Sequence, residues 1–325
     1  MSLHRDGEHM PNLVTVGNAS LRLSPAGHER LETATDVRVH TTGTECNAAA
    51  AANRLGSDAI WLSKLPDSPL GRRILSELHE HGVATNVAWS DDGRQGLEFY
   101  ESPAAPRGAT RIDDRTNAAA ATMTPGELRM DLVQEADAVF VAASTMALSQ
   151  TAADTAKAVL RAGGGESGLS VFDMDYQPHV WDPETAREAV TGAFEPADVL
   201  FANEDDVETV LGRSGQAREL AHTIAAEFSF DLVVITRSEH GAIAYHDGVI
   251  HERESVETET VDPTGQHDAF VGAFLARLLA GADTDEALAY GVAMAALTRT
   301  VPGPLTTIGR SDVEALVEDI TGRRS

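Results

Sequence analysis

Lysine is almost missing from this chain of 325 residues: it occurs only at Lys64 and Lys157, and acidic residues outnumber basic ones by 51 to 25. A net charge of −26 argues against nucleic acid as a partner, because contact with a phosphate backbone needs clustered cations. Neither lysine follows a glycine, so no G-K-[ST] step exists and a P-loop nucleotide site is excluded. The single cysteine, Cys46, allows neither a disulfide framework nor a cysteine-based zinc site. No apolar run reaches the roughly 20 residues that span a bilayer, so no membrane partner is expected. The opening MSLHRDGEHM lacks the apolar stretch of a signal peptide. The histidines show no metal-ligand spacing.

What is present is enough chain for a large α/β core and a wealth of scattered acids. Such a charge distribution solvates a surface rather than building a tail. It fits the cytoplasm of a salt-loving organism, where salt screens the self-repulsion.

The chain is organised around Val261 to Leu275, VDPTGQHDAFVGAFL. Pro263 and Gly265 mark a tight turn. From Ala269 to Leu279 the apolar residues run nearly unbroken, as in a buried helix. A helix N-terminus directs free N–H groups and the positive end of its dipole outward, which suits an anion. Asp268, in the first turn of this helix, is not needed for packing. A carboxylate there suits a general base working beside a phosphate. Taken alone, it also reads, less readily, as the acidic first-turn residue of an ordinary buried helix.

Elsewhere strands and helices alternate. Leu13 to Val16, Ala59 to Leu65, Ala138 to Ala142, Leu169 to Asp173, Asp198 to Ala202 and Leu232 to Thr236 read as strands. Ala242 to Tyr245 and Val249 to His251 read as a hairpin turning at Asp247 and Gly248. Helices are predicted over an Ala-rich segment opened by Asn47 and closed by Gly56, and over Asp67 to Gly82, Pro125 to Glu135, Ser149 to Ala162, Asp285 to Thr298 and Ser311 to Ile320. Arg22 to Val39 and Val87 to Thr116 alternate as strands exposed on one face do. Gly163 to Gly168 spells G-x-G-x-x-G, but it follows a helix and precedes a strand, the reverse of a dinucleotide fingerprint.

Asp262, Gly265, Asp268, Ala269, Phe270, Gly272, Ala273 and Phe274 form a D-x-x-G-x-x-D-A-F-x-G-A-F pattern. In this the chain resembles the ribokinase-like (PfkB) carbohydrate kinases. The likeness runs from about Asn12 to Ile320, and the block SKLPDSPLGRRILSELHEHGV brings it nearest to haloarchaeal 2-keto-3-deoxygluconate kinases. The resemblance implies an α/β fold with a mostly parallel central sheet flanked by helices. It implies one domain over 11–325 behind a loose tail at 1–10, with a small β lid from segments near 19–42 and 86–116.

The resemblance also implies transfer of the γ-phosphate of ATP to a sugar or sugar-acid hydroxyl, with Asp268 as general base. Backbone N–H groups of Gly265, Gln266 and His267 would form the anion hole, and Mg2+ would bridge the phosphates. For the sugar it points to Asn18, Gly43, Asn47, Tyr100, Arg115, Asp175 and Gln177. For the nucleotide it points to Asn203, Thr236, Gly241 and Gly265, and for Mg2+, through water, to Asp206. Relatives place the loop corresponding to Pro302 to Pro304 against the adenine, and in some of them the lid forms a homo-oligomer interface.

Departures from the family pattern concentrate on ligand-facing elements. Asn18 stands where 2-keto-3-deoxygluconate kinases have Glu, Asp113 where they have Tyr, Asp175 for Asn and Gln177 for Arg. Thr42 and Ser238 replace Gly, and Gln266 and His267 replace a small residue and Gly. Without an arginine at 177 a sugar carboxylate loses a bidentate partner, so these residues favour an acidic sugar less than the overall resemblance does. His267 either offers a cation to phosphate or points away, and a Cβ at 266 or 267 would crowd a close approach. A second reading follows: a non-catalytic or substrate-shifted paralogue that binds a sugar, nucleotide or partner. At the level of single motifs, Asn47 also reads as an N-cap, and Asn203 to Asp206 as an acidic helix start.

Overall fold

Successive residues of a strand point to opposite faces of its sheet. In this chain both faces are apolar. The computed structural model describes residues 12–163, 165 and 168–322; the tail expected at 1–10 lies outside them. In chain order its elements begin β1 (Leu13–Val16), β2 (Ser20–Ser24), β3 (Arg38–Thr42), α1 (Thr44–Arg54), β4 (Ala59–Pro66), α2 (Pro69–Glu80), β5 (Ala84–Ser90), β6 (Gly96–Glu101) and β7 (Thr110–Asp114). The middle comprises α3 (Met130–Glu135), β8 (Ala138–Ala142), α4 (Ala143–Met146), α5 (Gln150–Ala162), β9 (Leu169–Asp173), α6 (Pro183–Phe194), β10 (Val199–Asn203), α7 (Glu204–Leu211) and α8 (Ala217–Phe228). The chain continues with β11 (Leu232–Thr236), β12 (Ala242–His246), β13 (Val249–Arg253), α9 (Gln266–Leu279), α10 (Thr284–Thr298) and α11 (Arg310–Thr321).

Nine strands form the large sheet in the order β13-β12-β11-β10-β9-β8-β1-β4-β5. From β11 to β5 every pair is parallel; at the other edge β12 runs antiparallel to both β11 and β13. Leu13, Trp61, Phe140, Val171, Phe201 and Val234 face one layer of helices, packing with residues of α1, α9, α10 and α11. Their strand neighbours Val14, Leu62, Val139, Phe172, Leu200 and Val233 face the other, with α5, α6, α7 and α8. Burial of each such large side chain contributes about 1.5–3 kcal/mol. This two-sided burial makes the strands read as continuous apolar runs.

A second sheet has four strands in the order β3-β2-β6-β7. Its register aligns Arg22 with Glu98 and Glu98 with Asp113, and pairs Tyr100 with Arg111. These side chains therefore share one face. The segment 86–116 does not belong wholly to this sheet: β5 pairs in parallel with β4 and forms an edge of the large one. The helix expected over Pro125 to Glu135 is also interrupted. A 3-10 turn over Pro125–Glu127 is closed by a Thr124–Glu127 capping box, and Leu128 turns inward before α3 starts.

Candidate active site

Parallel strands of an open α/β sheet bring their carboxyl ends to one edge, where ligands bind. Here Asn18 follows β1, Ser144 and Thr145 follow β8, Asp173 ends β9, and Asn203 and Thr236 end β10 and β11. Against this edge stands the N-terminus of α9. Its N-cap, Gly265, has φ +75°, and an added Cβ would lie 2.1 Å from the Pro304 carbonyl oxygen. Only glycine combines that conformation with that proximity. The first N–H groups of α9 lack partners within the helix by geometry. Asp262 shapes the preceding turn: its Oδ1 accepts from the Thr264 N–H at 3.0 Å and its Oδ2 from the Gly303 N–H at 3.0 Å.

Two clefts meet at this helix start. One is polar and lies beneath the small sheet; it is lined by Asn18, Gly43, Arg115, Asp175, Gln177, Gly265 and Asp268 among others. The other lies on the far side of α9. Asn203, Thr236, Gly241, Gln266 and His267 line it, together with an apolar wall that includes Val256, Phe270, Val292 and Ala295. Asp268 faces the first cleft and His267 the second, so neighbouring residues serve opposite sides of one helix turn.

Asn47 is neither the N-cap of α1 nor a lining residue. Gly43 caps that helix, and the Asn47 N–H donates to the Gly43 carbonyl at 2.9 Å. Its side-chain Nδ2 donates to Asp268 Oδ2 at 2.7 Å, and so fixes the carboxylate. Burial and the Asp175 charge push the Asp268 carboxyl up to about 7, against the pull of His267 and Asn47. The ring of His267 turns inward. Nε2 lies 2.9 Å from Asp173 Oδ2, and Nδ1 lies 3.4 Å from Thr236 Oγ1. Burial opposes its charge, but Asp173 outweighs burial and raises the imidazole to about 10.

In the polar cleft Arg22 pairs with Glu98, and Arg111 reaches both Glu98 (2.8 Å) and Asp113 (3.1 Å). Arg115 reaches Asp113 at 3.2 Å and donates to Gln177 Oε1 at 2.8 Å. His179 also pairs with Asp113. Burial alone would raise the Asp113 carboxyl, but His179 and the arginines hold it down at about 2. Asp175, at φ +20°, accepts from the Thr44 hydroxyl at 2.7 Å. Tyr100 is on the same face of the small sheet but does not line the cleft. It is 5 % exposed and lies under the Arg22 guanidinium at 4.7 Å. Reasoning from the sequence missed Arg22 and Glu98 here; each lies in a polar-alternating strand, but only the pairing of β2 with β6 sets them side by side.

Asp206 lines neither cleft. Its carboxylate accepts from the Tyr176 N–H at 3.0 Å, and burial lifts it to about 7. Asn203 caps α7, accepting from the Asp206 N–H at 2.7 Å. Among the described residues no group of three or more His, Cys, Asp or Glu side chains is placed to hold a metal directly. Ser238, which replaces a glycine of the family pattern, still adopts φ +47°. Glu45, fully buried in α1, accepts from the Ala142 N–H at 3.0 Å, and burial raises it to about 8.

The chain is similar to known proteins along nearly its whole length. The family described as pfkB family carbohydrate kinase matches residues 10–308. The chain is 47% identical over 305 residues to the 2-dehydro-3-deoxygalactonokinase of Haloferax volcanii, covering 94% of this chain and 96% of that one. It is 29% identical over 300 residues to the 2-dehydro-3-deoxygluconokinase of Thermoproteus tenax, covering 91% and 90%. The crystal structure of a 2-dehydro-3-deoxygluconokinase from Thermotoga maritima superposes with a TM-score of 0.89 at 27% identity, over 95% of this chain and all of that one.

Proposed function

The chain belongs to the pfkB family of carbohydrate kinases, and from that premise we propose that it moves the γ-phosphoryl group of ATP to a hydroxyl of a 2-dehydro-3-deoxy sugar acid, with Asp268 as general base. The observation that carries this reading is the position of Asp268. It sits in the first turn of α9, where the polar cleft meets the apolar-walled one, and Asn47 holds its carboxylate. The polar cleft takes the sugar. The other takes the nucleotide, with its base against Val256, Val292 and Ala295 and its phosphates toward Thr236, Gln266 and His267. Asp268 accepts the proton of the attacking hydroxyl, and the free N–H groups at the start of α9 bind the charge that develops on the phosphoryl oxygens. Mg2+, when bound with the nucleotide, would neutralise phosphate charge; Asn203 and Asp205, which line the nucleotide cleft, are the residues placed to meet its waters, in place of the buried Asp206.

An acidic sugar gains support that position 177 alone withheld. Arg115 reaches the Gln177 side chain from the small sheet, and Arg111 approaches the same oxygen at 3.5 Å. Guanidinium groups thus stand where the family arginine is missing. The Haloferax relative, a 2-dehydro-3-deoxygalactonokinase, favours the galactonate form. The small sheet, lying over this cleft, would act as its lid and is the candidate surface for self-association.

The test is ATP consumption with Mg2+ at molar KCl against 2-dehydro-3-deoxygalactonate, 2-dehydro-3-deoxygluconate and neutral sugars. Turnover with one of the acids is expected, and Asp268→Asn should lower kcat by about 10²–10⁴-fold while leaving sugar binding intact. Unchanged turnover in that variant, or activity confined to neutral sugars, would refute the assignment.

A further inference from the structure

The nucleotide cleft holds few cations for a site meant for a triphosphate. Two basic residues line it, Arg299 and His267. Arg299 is engaged elsewhere: its Nε donates to the Thr258 hydroxyl at 2.5 Å, and its Nη2 donates to the Val256 carbonyl oxygen. The arginines of the polar cleft are paired with Glu98 and Asp113. His267 is different. It stands in the first turn of α9, next to Asp268, and it lines the nucleotide side. Its Nε2 is held by Asp173 at 2.9 Å, whereas Nδ1 lies 3.4 Å from the Thr236 hydroxyl, longer than an ordinary hydrogen bond, so this second N–H is open to a ligand; 26% of the side chain is exposed.

We propose that the His267 imidazolium, oriented by Asp173, is a phosphate-contacting residue that supplies a side-chain cation at the helix-start end of this cleft. The proposal rests on the kinase reading given above. Asp173 is fully buried, and it acts here as a positioning residue that keeps the ring charged and aimed.

The surrounding charges make such a cation necessary. Asp173 from β9, Asp175 from the following loop, Asp205 and Asp206 from α7 and Asp268 from α9 all lie around this ring or the cleft it lines, with Arg299 across from α10. Whatever negative charge these groups carry repels a triphosphate. One imidazolium at the phosphate end offsets part of that repulsion, and it also draws the Asp268 carboxyl toward its charged form. Glycine at this position, the usual family residue, would leave buried Asp173 without a cationic partner, with the Asp175 N–H still donating to it at 3.3 Å. Charge-assisted hydrogen bonding through the ring replaces the close backbone approach that a glycine permits.

The experiment compares binding of ATP and of adenosine by calorimetry, and the pH profile of turnover, in the intact protein and in His267→Gly, His267→Gln, His267→Lys and Asp173→Asn. Thermal melts at the same salt confirm folding. His267→Gly and His267→Gln should weaken ATP roughly ten- to a hundredfold and leave adenosine unchanged. Their acid limb should move to higher pH, because the cation that lowers Asp268 is gone. His267→Lys should keep most of the ATP affinity, and Asp173→Asn should fall between. Equal losses for ATP and adenosine, or no loss for either, would overturn the proposal. Absence of turnover with every sugar in the intact protein would instead overturn the kinase reading, and the binding ratio tells the two failures apart.

Discussion

Asp268 has a carboxyl held near neutrality, and this has a kinetic consequence. A general base works only when deprotonated, so activity falls as pH drops through the pKa of that group. With burial and Asp175 raising it to about 7, the acid limb of kcat should lie near pH 7 rather than near the ordinary carboxylate value of about 4. Asn47→Ala removes the N–H that favours the charged form, and the limb should then move higher still. Initial rates between pH 5 and 9 decide the matter; a limb near pH 4 would show that this carboxyl is not the titrating base. The positions of Asp268 and Gly265 were legible in the sequence because a local turn and helix start fix them. The direction of the His267 ring was not. It is set by Asp173, 94 residues away in the chain, and only the parallel sheet brings the two together. Tyr100 erred for a similar reason: strand alternation places it on the correct face, but Arg22 from β2 lies over it. Asn47 looked like a helix opener, yet Gly43 begins the helix one turn earlier.

Helix placement transmits such contacts to the site. α1 carries Asn47 and α9 carries Asp268, so the spacing of these two helices sets the 2.7 Å hydrogen bond between them. They approach very closely: a Cβ added at Gly272 would lie 2.1 Å from the Ala48 carbonyl oxygen. The buried alanines Ala48 to Ala52 provide the flat face that permits this. Gly272→Ala must push the helices apart, at a cost of about 1–3 kcal/mol. The thermal midpoint should drop by roughly 2–10 °C, and kcat should fall with it because Asn47 retreats from Asp268. A variant with unchanged midpoint and unchanged kcat would show that the helices are not locked at this point. The parallel strands were legible because each is buried on both faces and bounded by turn residues. The small sheet was legible only in outline, since polar alternation identifies a half-exposed strand without naming its partner. For that reason β5 was assigned with its sequence neighbours, although it completes the edge of the large sheet. The helix expected over Pro125 to Glu135 shows the reverse limit, because the capping box at Thr124 and Glu127 closes a single turn before Leu128 is drawn into the core.

At the scale of the whole molecule, the net charge of −26 works against both compactness and catalysis. Like charges spread over one surface repel at any separation shorter than the Debye length, about 10 Å at 0.1 M salt and 3 Å at 1 M. The unfolded chain keeps these charges farther apart, so screening favours the folded form. Raising KCl from 0.1 to 2 M should therefore lift the thermal midpoint, on the order of 5 °C. The gain should level off once the Debye length falls below the spacing of neighbouring acids. NaCl should do the same, since screening depends on ionic strength; a rise seen only with sulfate would indicate exclusion from the surface instead. The same field surrounds the clefts, where Asp175, Asp205 and Asp268 face the incoming ligands. The proposed ligands, an anionic nucleotide and an anionic sugar, would both approach against it. Most enzymes that take anionic substrates lose affinity as salt rises, because salt screens an attraction. Here it screens a net repulsion, so KM for ATP should fall or stay level between 0.1 and 2 M KCl. A KM that climbs steeply with salt would mean that local cations, His267 and the cleft arginines, dominate the approach, and that the acidic surface serves solubility alone.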